Sequence, residues 1–119
     1  MLAKRTRYFL GKYYPDIVNL TLLAFLSPLY FYKLGSLSLV SWDEAWYGAI
    51  ARNILERGSV FILWWNGSVY SDHPPAGFWM IALFQSIFGV GEFGTRVGSA
   101  VFALIGLGLT YLLGRELFS

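Results

Sequence analysis

Residues 17–40 read IVNLTLLAFLSPLYFYKLGSLSLV, and residues 41–58 continue SWDEAWYGAIARNILERG. An apolar run with Lys33 as its one charge gives way at once to Asp43 and Glu44, flanked by Trp42 and Trp46. The first run is long enough to cross a bilayer as a helix, which needs roughly 20 residues. Lys33, near its far end, can extend its ammonium to the interface. The second run changes period. Trp42, Trp46, Ile50 and Ile54 recur every fourth residue and predict an amphipathic helix over 42–57. Ser41 is placed to cap it with Glu44 as capping-box partner, and Gly58 to end it. Such a helix is too polar to cross and is rich in tryptophan, so it is expected to lie on the membrane surface.

Composition supports a membrane chain. Of 119 residues, 56% are hydrophobic, 19% aromatic and only 13% charged, and mean hydropathy is +0.53. The net charge of +2 matters less than its distribution. Lys4, Arg5, Arg7 and Lys12 precede the first run with no acid among them, whereas residues 41–96 hold five acids and three arginines. The positive-inside rule then puts the amino terminus in the cytoplasm and the acidic middle outside it. The basic tail is short and close to lipid, which argues for anchoring and against nucleic acid. A cleaved signal peptide, with small residues at Ser36 and Ser38, is the competing reading of the first run. Cysteine is absent, which excludes disulfides, thiolate metal sites and a cysteine nucleophile.

Further along, β-branched and aromatic residues surround Asn66-Gly67, a hairpin signal. Residues 76–90 form an apolar run that is short for a span and contains Gln85, so an outer-surface helix is expected. Residues 97–114 form a second spanning helix, stopped by Arg115, with Ser99 and Ala103 as a small-residue face and Gly106 and Gly108 permitting close approach. The expected architecture is all-α: a cytoplasmic tail (1–16), a transmembrane helix (17–40), an extracytoplasmic loop of surface helices (41–96) and a second transmembrane helix (97–114). Two spans and one loop enclose little volume, so the chain reads as the opening piece of a longer polytopic protein, inactive by itself.

Several residues carry candidate chemistry. Asp43 and Glu44 at the lipid–water boundary serve either as first-turn acids that complement the helix dipole, or as a general base and its neighbour. His73, the single histidine, precedes Pro74-Pro75, whose rings stiffen the entry to the next helix. Arg52 and Arg96 suit phosphate, although Arg52 can instead pair with Glu56.

The succession W-D-E-A-x-Y, A-R-N-I-L-E-R-G, H-P-P-A-G-F-W and F-G-V-G-E-F-G-T-R-V-G-S-A, behind a basic tail and a span, resembles the amino-terminal part of GT-C-type membrane glycosyltransferases. The likeness is to the branch of protein O-mannosyltransferases and lipid A aminoarabinose transferases. It implies an integral plasma-membrane enzyme that moves a sugar from a polyprenyl-phosphate donor to an extracytoplasmic acceptor: a protein hydroxyl, a lipid or a glycan. Asp43 matches the family's catalytic carboxylate and Glu44 its neighbour. Tyr47 and Arg52 match the loop helix, His73 and Pro74 the element near the donor phosphate, and Arg96 the residue ahead of the next span. Two carboxylates and one histidine do not define a metal site, so a divalent metal at Asp43 stays open beside a metal-free base. The alternative from another class is a non-catalytic membrane accessory or scaffold protein. A lipid-phosphate hydrolase is disfavoured by the single histidine and the lack of a clustered basic phosphate motif.

Overall fold

The computed structural model describes residues 2–118, with side chains from Tyr13 onward. The side chains of Lys4, Arg5, Arg7 and Lys12, on which the cytoplasmic placement of the amino terminus rests, lie outside that range. Six elements follow in order: α1 (Leu2–Phe31), α2 (Asp43–Arg57), β1 (Leu63–Trp65), β2 (Ser68–Tyr70), α3 (Ala76–Phe88) and α4 (Glu92–Phe118). The expected all-α loop thus contains a small antiparallel hairpin, in register Leu63↔Tyr70, Trp64↔Val69 and Trp65↔Ser68. Asn66 (φ 47°) and Gly67 (φ 80°) both take positive φ at its turn, as a two-residue type I′ connection requires.

The first helix departs from the 17–40 expectation. It begins earlier and ends at Phe31, and Lys33 turns left-handed with φ 55°. The physical reason lies in α4. The carbonyls of Leu34, Leu37 and Ser38, which a continuing helix would use internally, accept hydrogen bonds from Arg96 instead. The segment therefore peels away from the helix axis and packs on α4, with Gly35 so close to Phe93 that an added Cβ would lie 3.0 Å from its Cβ.

Helix α2 ends as expected at Gly58, left-handed at φ 64°. Its start differs from the expected capping box. Trp42 occupies the cap position with no side-chain cap bond, and Glu44 reaches back to the Val40 N–H at 3.0 Å rather than to Ser41. The apolar stripe differs too. Ile50 and Ile54 are buried with Ala51, Leu63, Tyr70, Phe78 and Ala82, and Trp46 packs on that cluster. Trp42 alone of the four is strongly exposed, at 81%. Lipid contact through the stripe is thus replaced by an internal core, because the hairpin and α3 supply an apolar partner within the chain. Burial there removes about 25 cal/mol of unfavourable hydration per Å².

Pro75 precedes α3 in αR geometry, and Gly89 at φ 92° ends the helix. At 13 residues α3 is roughly 20 Å long, short of a hydrocarbon layer of roughly 30 Å. Gln85, expected to mark a surface position, is buried instead and donates to Gly48 O (3.1 Å) and Thr95 Oγ1 (3.0 Å), joining three helices. The outer face of α3 leaves Leu83, Ile87 and Phe88 exposed.

Among the described residues, α4 is the one helix long and apolar enough to cross a membrane. It starts five residues before the expected boundary, taking in the 92–96 stretch. Close approach occurs at its Gly94-x-x-x-Gly98 face, not at Gly106 and Gly108, which have open space around them. A Cβ at Gly94 would meet Gly89 O at 2.1 Å, and one at Gly98 would meet Phe84 Cδ2 at 2.7 Å.

One long-range tie was not foreseen. Asp16 of α1 accepts from Tyr111 Oη at 2.5 Å and pairs with Arg115 at 3.2 Å, both on α4. The middle of α1 and the end of α4 are therefore neighbours, while Gly35 just past α1 meets Phe93 at the start of α4, so the two helices run antiparallel. If both cross, residues 41–91 sit on one side. Single cysteines at Ser68 and Gly91 are then both expected to react with a membrane-impermeant maleimide in intact cells. Labelling at Ser68 with protection at Gly91 would refute a surface-lying α3.

A carboxylate–guanidinium cleft as candidate functional site

A cleft of about 390 Å³ opens where the turn after α1, the start of α2 and the first turns of α4 meet. Asp43, Glu44 and Tyr47 line it from α2, Arg96 and Ser99 from α4, and Tyr30 from α1. Successive helical positions set Asp43 and Glu44 roughly 100° apart around the α2 start, and Tyr47 lies one turn on from Asp43. A larger space of about 810 Å³ between α1 and α4 is walled by leucines such as Leu23, Leu26 and Leu109. It lies away from both carboxylates of the α2 start and offers apolar packing, so the smaller cleft is the candidate site.

The two adjacent carboxylates have unlike surroundings. Arg96 binds Glu44 in a fork, Nε to Oε1 at 3.1 Å and Nη2 to Oε2 at 2.7 Å, and Val40 N–H adds a third donor. The Arg96 hydrogen bond first, then the Val40 N–H, lowers the Glu44 pKa to about 2. A carboxylate so stabilised is a weak base. Asp43 is exposed and, among the described residues, makes no hydrogen bond or ion pair. The residue before it, Trp42, holds φ 84° and ψ −113°. For a bulky side chain this is a strained backbone, costing on the order of 1–3 kcal/mol, and it persists only where its surroundings over-determine it. The Glu44–Arg96 fork two residues on supplies such a constraint.

Arg96 has no donor left for a ligand. Its five N–H groups go to Glu44 twice and to the carbonyls of Leu34 (2.9 Å), Leu37 (2.7 Å) and Ser38 (3.0 Å). The phosphate contact expected of Arg96 is thus replaced in this conformation by a bracket joining the α1 exit, α2 and α4. Arg52 lies outside the cleft, exposed and paired with Glu56 at 3.4 Å. Tyr47 forms one cleft wall, and its ring stands 5.9 Å from that of His73 and 5.3 Å from that of Phe78. His73 and Pro74 therefore sit behind Tyr47, next to the cleft rather than in its wall.

Asp43, Glu44, Tyr47 and Arg96 are thus brought together, His73 and Pro74 come within one ring of them, and Arg52 does not. Tyr30 was missed because an aromatic residue at the end of an apolar run reads as an interface anchor. Among the described residues, no three His, Asp or Glu side chains converge as a metal set. With both Glu44 oxygens engaged, Asp43 is the one free carboxylate of this pair.

Comparison with known proteins supports the family resemblance. A family model described as dolichyl-phosphate-mannose-protein mannosyltransferase matches residues 72–119. A protein of Pseudomonas savastanoi pv. phaseolicola named undecaprenyl phosphate-alpha-4-amino-4-deoxy-L-arabinose arabinosyl transferase is 38% identical over 100 residues, 82% of this chain and 17% of that protein. A transferase of the same name from Pseudomonas fluorescens is 40% identical over 96 residues, 79% of this chain and 17% of its own length. An uncharacterized protein of Aquifex aeolicus is 36% identical over 89 residues, 75% of this chain and 18% of that protein. No solved structure matches. The chain spans less than a fifth of the length of these curated relatives. Over the length it shares with them, its sequence is that of the GT-C-type branch joining the protein mannosyltransferases and the aminoarabinose transferases.

Proposed function

We propose that this protein takes part in transfer of a sugar from a polyprenyl-phosphate donor to an acceptor outside the cytoplasm, with Asp43 as general base. The observation that carries this reading is the free Asp43 beside a Glu44 fully engaged by Arg96, in a cleft next to the apolar α1–α4 surface. In that reading Asp43 takes a proton from the acceptor. The acceptor oxygen or nitrogen attacks the anomeric carbon from the face opposite the phosphate. The carbon–oxygen bond to phosphate breaks, and its electron pair leaves with the lipid phosphate. The relatives named above, whose names specify an undecaprenyl-phosphate aminoarabinose, support a donor of this class. The site's place at the end of a membrane-length helix fits a reactive carbon tethered to the bilayer by its own lipid.

The expected topology belongs to the same proposal: amino terminus in the cytoplasm, residues 17–40 and 97–114 accounting for two crossings, and 41–96 outside. The tie of Asp16, midway along α1, to Arg115 near the end of α4 supports antiparallel crossings. A divalent metal is not required by this scheme, and if one takes part Asp43 is its carboxylate ligand.

A photoreactive benzoylphenylalanine at Ser99, exposed in the cleft wall, is expected to crosslink to undecaprenyl phosphate in bicelles. The same group at Arg52, exposed but outside the cleft, is not. Equal crosslinking at both positions would count against the cleft as the donor site.

A further inference from the structure

Tyr70 is the last residue of β2, fixed opposite Leu63 by the strand register and only 7% exposed. Its hydroxyl is hydrogen-bonded to Nδ1 of His73. The two ring planes are almost parallel, 9° apart with centroids 6.0 Å apart, so the phenol meets the imidazole edge to edge through its hydroxyl, and Trp46 and Tyr47 stand at steep angles to the imidazole at 6.2 and 5.9 Å. Among the described residues His73 Nε2 has no hydrogen-bond partner, and the residue as a whole is exposed.

From this geometry we infer that Tyr70 is a positioning residue. Its hydroxyl donates to Nδ1, fixes His73 as the Nε2–H tautomer, and leaves Nε2–H to donate to an anionic phosphate oxygen arriving beside the Tyr47 wall. The imidazole is held at its Nδ1 edge by the hydroxyl and flanked by the Trp46 and Tyr47 rings, so it cannot turn to offer Nδ1 as a base. A buried phenol with no other acceptor is satisfied by this arrangement, whereas the reverse assignment would leave its own proton unpaired. Burial, with the nearby Asp72 charge adding to it, raises the Tyr70 pKa, which keeps the hydroxyl protonated and able to donate. Pro74 and Pro75 follow immediately and restrict the backbone, so the hydroxyl holds a side chain whose main chain is already stiff. The phosphate ligand rests on the donor class proposed above. The tautomer lock does not.

Because the chain contains one histidine, its ring nitrogens can be read without ambiguity. The test is long-range ¹H–¹⁵N correlation on ¹⁵N-histidine-labelled protein in bicelles, compared with Tyr70→Phe, which keeps the buried ring and removes only the hydroxyl. The wild type is expected to show Nδ1 unprotonated and Nε2 protonated, and Tyr70→Phe a mixture of tautomers. Undecaprenyl phosphate in the bicelles is expected to shift the wild-type Nε2 signal. Apparent affinity in Tyr70→Phe should be weaker by about tenfold, the value of one misaligned charge-assisted hydrogen bond. Inorganic phosphate alone, if it gives the same shift, identifies the ligand as phosphate from either source; no shift identifies the lipid-linked form. An Nδ1–H tautomer in the wild type, or an unchanged tautomer in Tyr70→Phe, would overturn the assignment. A locked tautomer with no response to either phosphate would support Tyr70's hold on the ring and remove His73 from the donor site.

Discussion

Asp43→Asn in the full-length protein is expected to lower sugar transfer by about 10²–10⁴-fold, the share that a positioned general base contributes. Membrane insertion and the α2 start should survive, because asparagine matches aspartate in size and gives up only the first-turn charge, worth about 1 kcal/mol or less. The change keeps shape and hydrogen-bonding capacity and removes basicity. If Asp43 merely complements the helix dipole, the loss is about 1 kcal/mol of stability or less, with transfer almost intact. Initial rates with an undecaprenyl-phosphate aminoarabinose donor, measured on purified protein in nanodiscs, separate these outcomes. A rate within about threefold of wild type would end the assignment of Asp43 as base, since the expected loss is far larger.

Much of this arrangement was legible in the residues themselves. Asn66-Gly67 announced a hairpin because few other pairs accept positive φ twice in succession. The limits of α2 and α3 followed from Gly58 and from Pro74-Pro75. Tyr47 entered through the family resemblance, and its spacing of four from Asp43 on a helix agrees with the shared cleft. What the sequence did not reveal depended on contacts distant along the chain. The Trp42–Ile54 stripe has the same period whether it meets lipid or a partner helix, and only the packing of α3 and the hairpin decided between them. The end of α1 at Phe31 could not be read locally, because the cause is Arg96, more than sixty residues later. From sequence Arg96 reads equally as a phosphate ligand or a snorkelling surface charge, and neither reading contains the bracket. Its five engaged donors settle which role it plays in this conformation. Asp16 passed unnoticed as part of the basic tail, since its partners Tyr111 and Arg115 lie at the other end of the chain.

Arg96→Lys is expected to disable the site without touching any group assigned to the chemistry. Lysine keeps the charge but offers at most three N–H donors from a single point, so it cannot span Glu44 and three carbonyls together. Arg96 is well buried, with 16% of its side chain exposed, while Glu44 is 38% exposed. Solvent therefore already compensates part of the pair, and the loss should be about 2–3 kcal/mol, the lower range for breaking a buried charged contact. Without the bracket, the strained Trp42 backbone is free to relax and Asp43 shifts relative to Tyr47. A misplacement of about 1 Å is enough to cost on the order of 10²-fold in rate. Acid should imitate the substitution. Because the folded pKa of Glu44 is depressed from 4.5 to about 2, its contribution is complete above pH 4.5 and fades as pH falls toward 2. Thermal unfolding followed by tryptophan fluorescence in detergent should therefore show wild type losing its advantage over Glu44→Gln across that window. Above it, Arg96→Lys and Glu44→Gln should each unfold earlier than wild type, and the double variant should be less destabilised than the sum of the two. Full additivity would mean that the fork does not couple α2 to α4, and that Asp43 owes its position to something else.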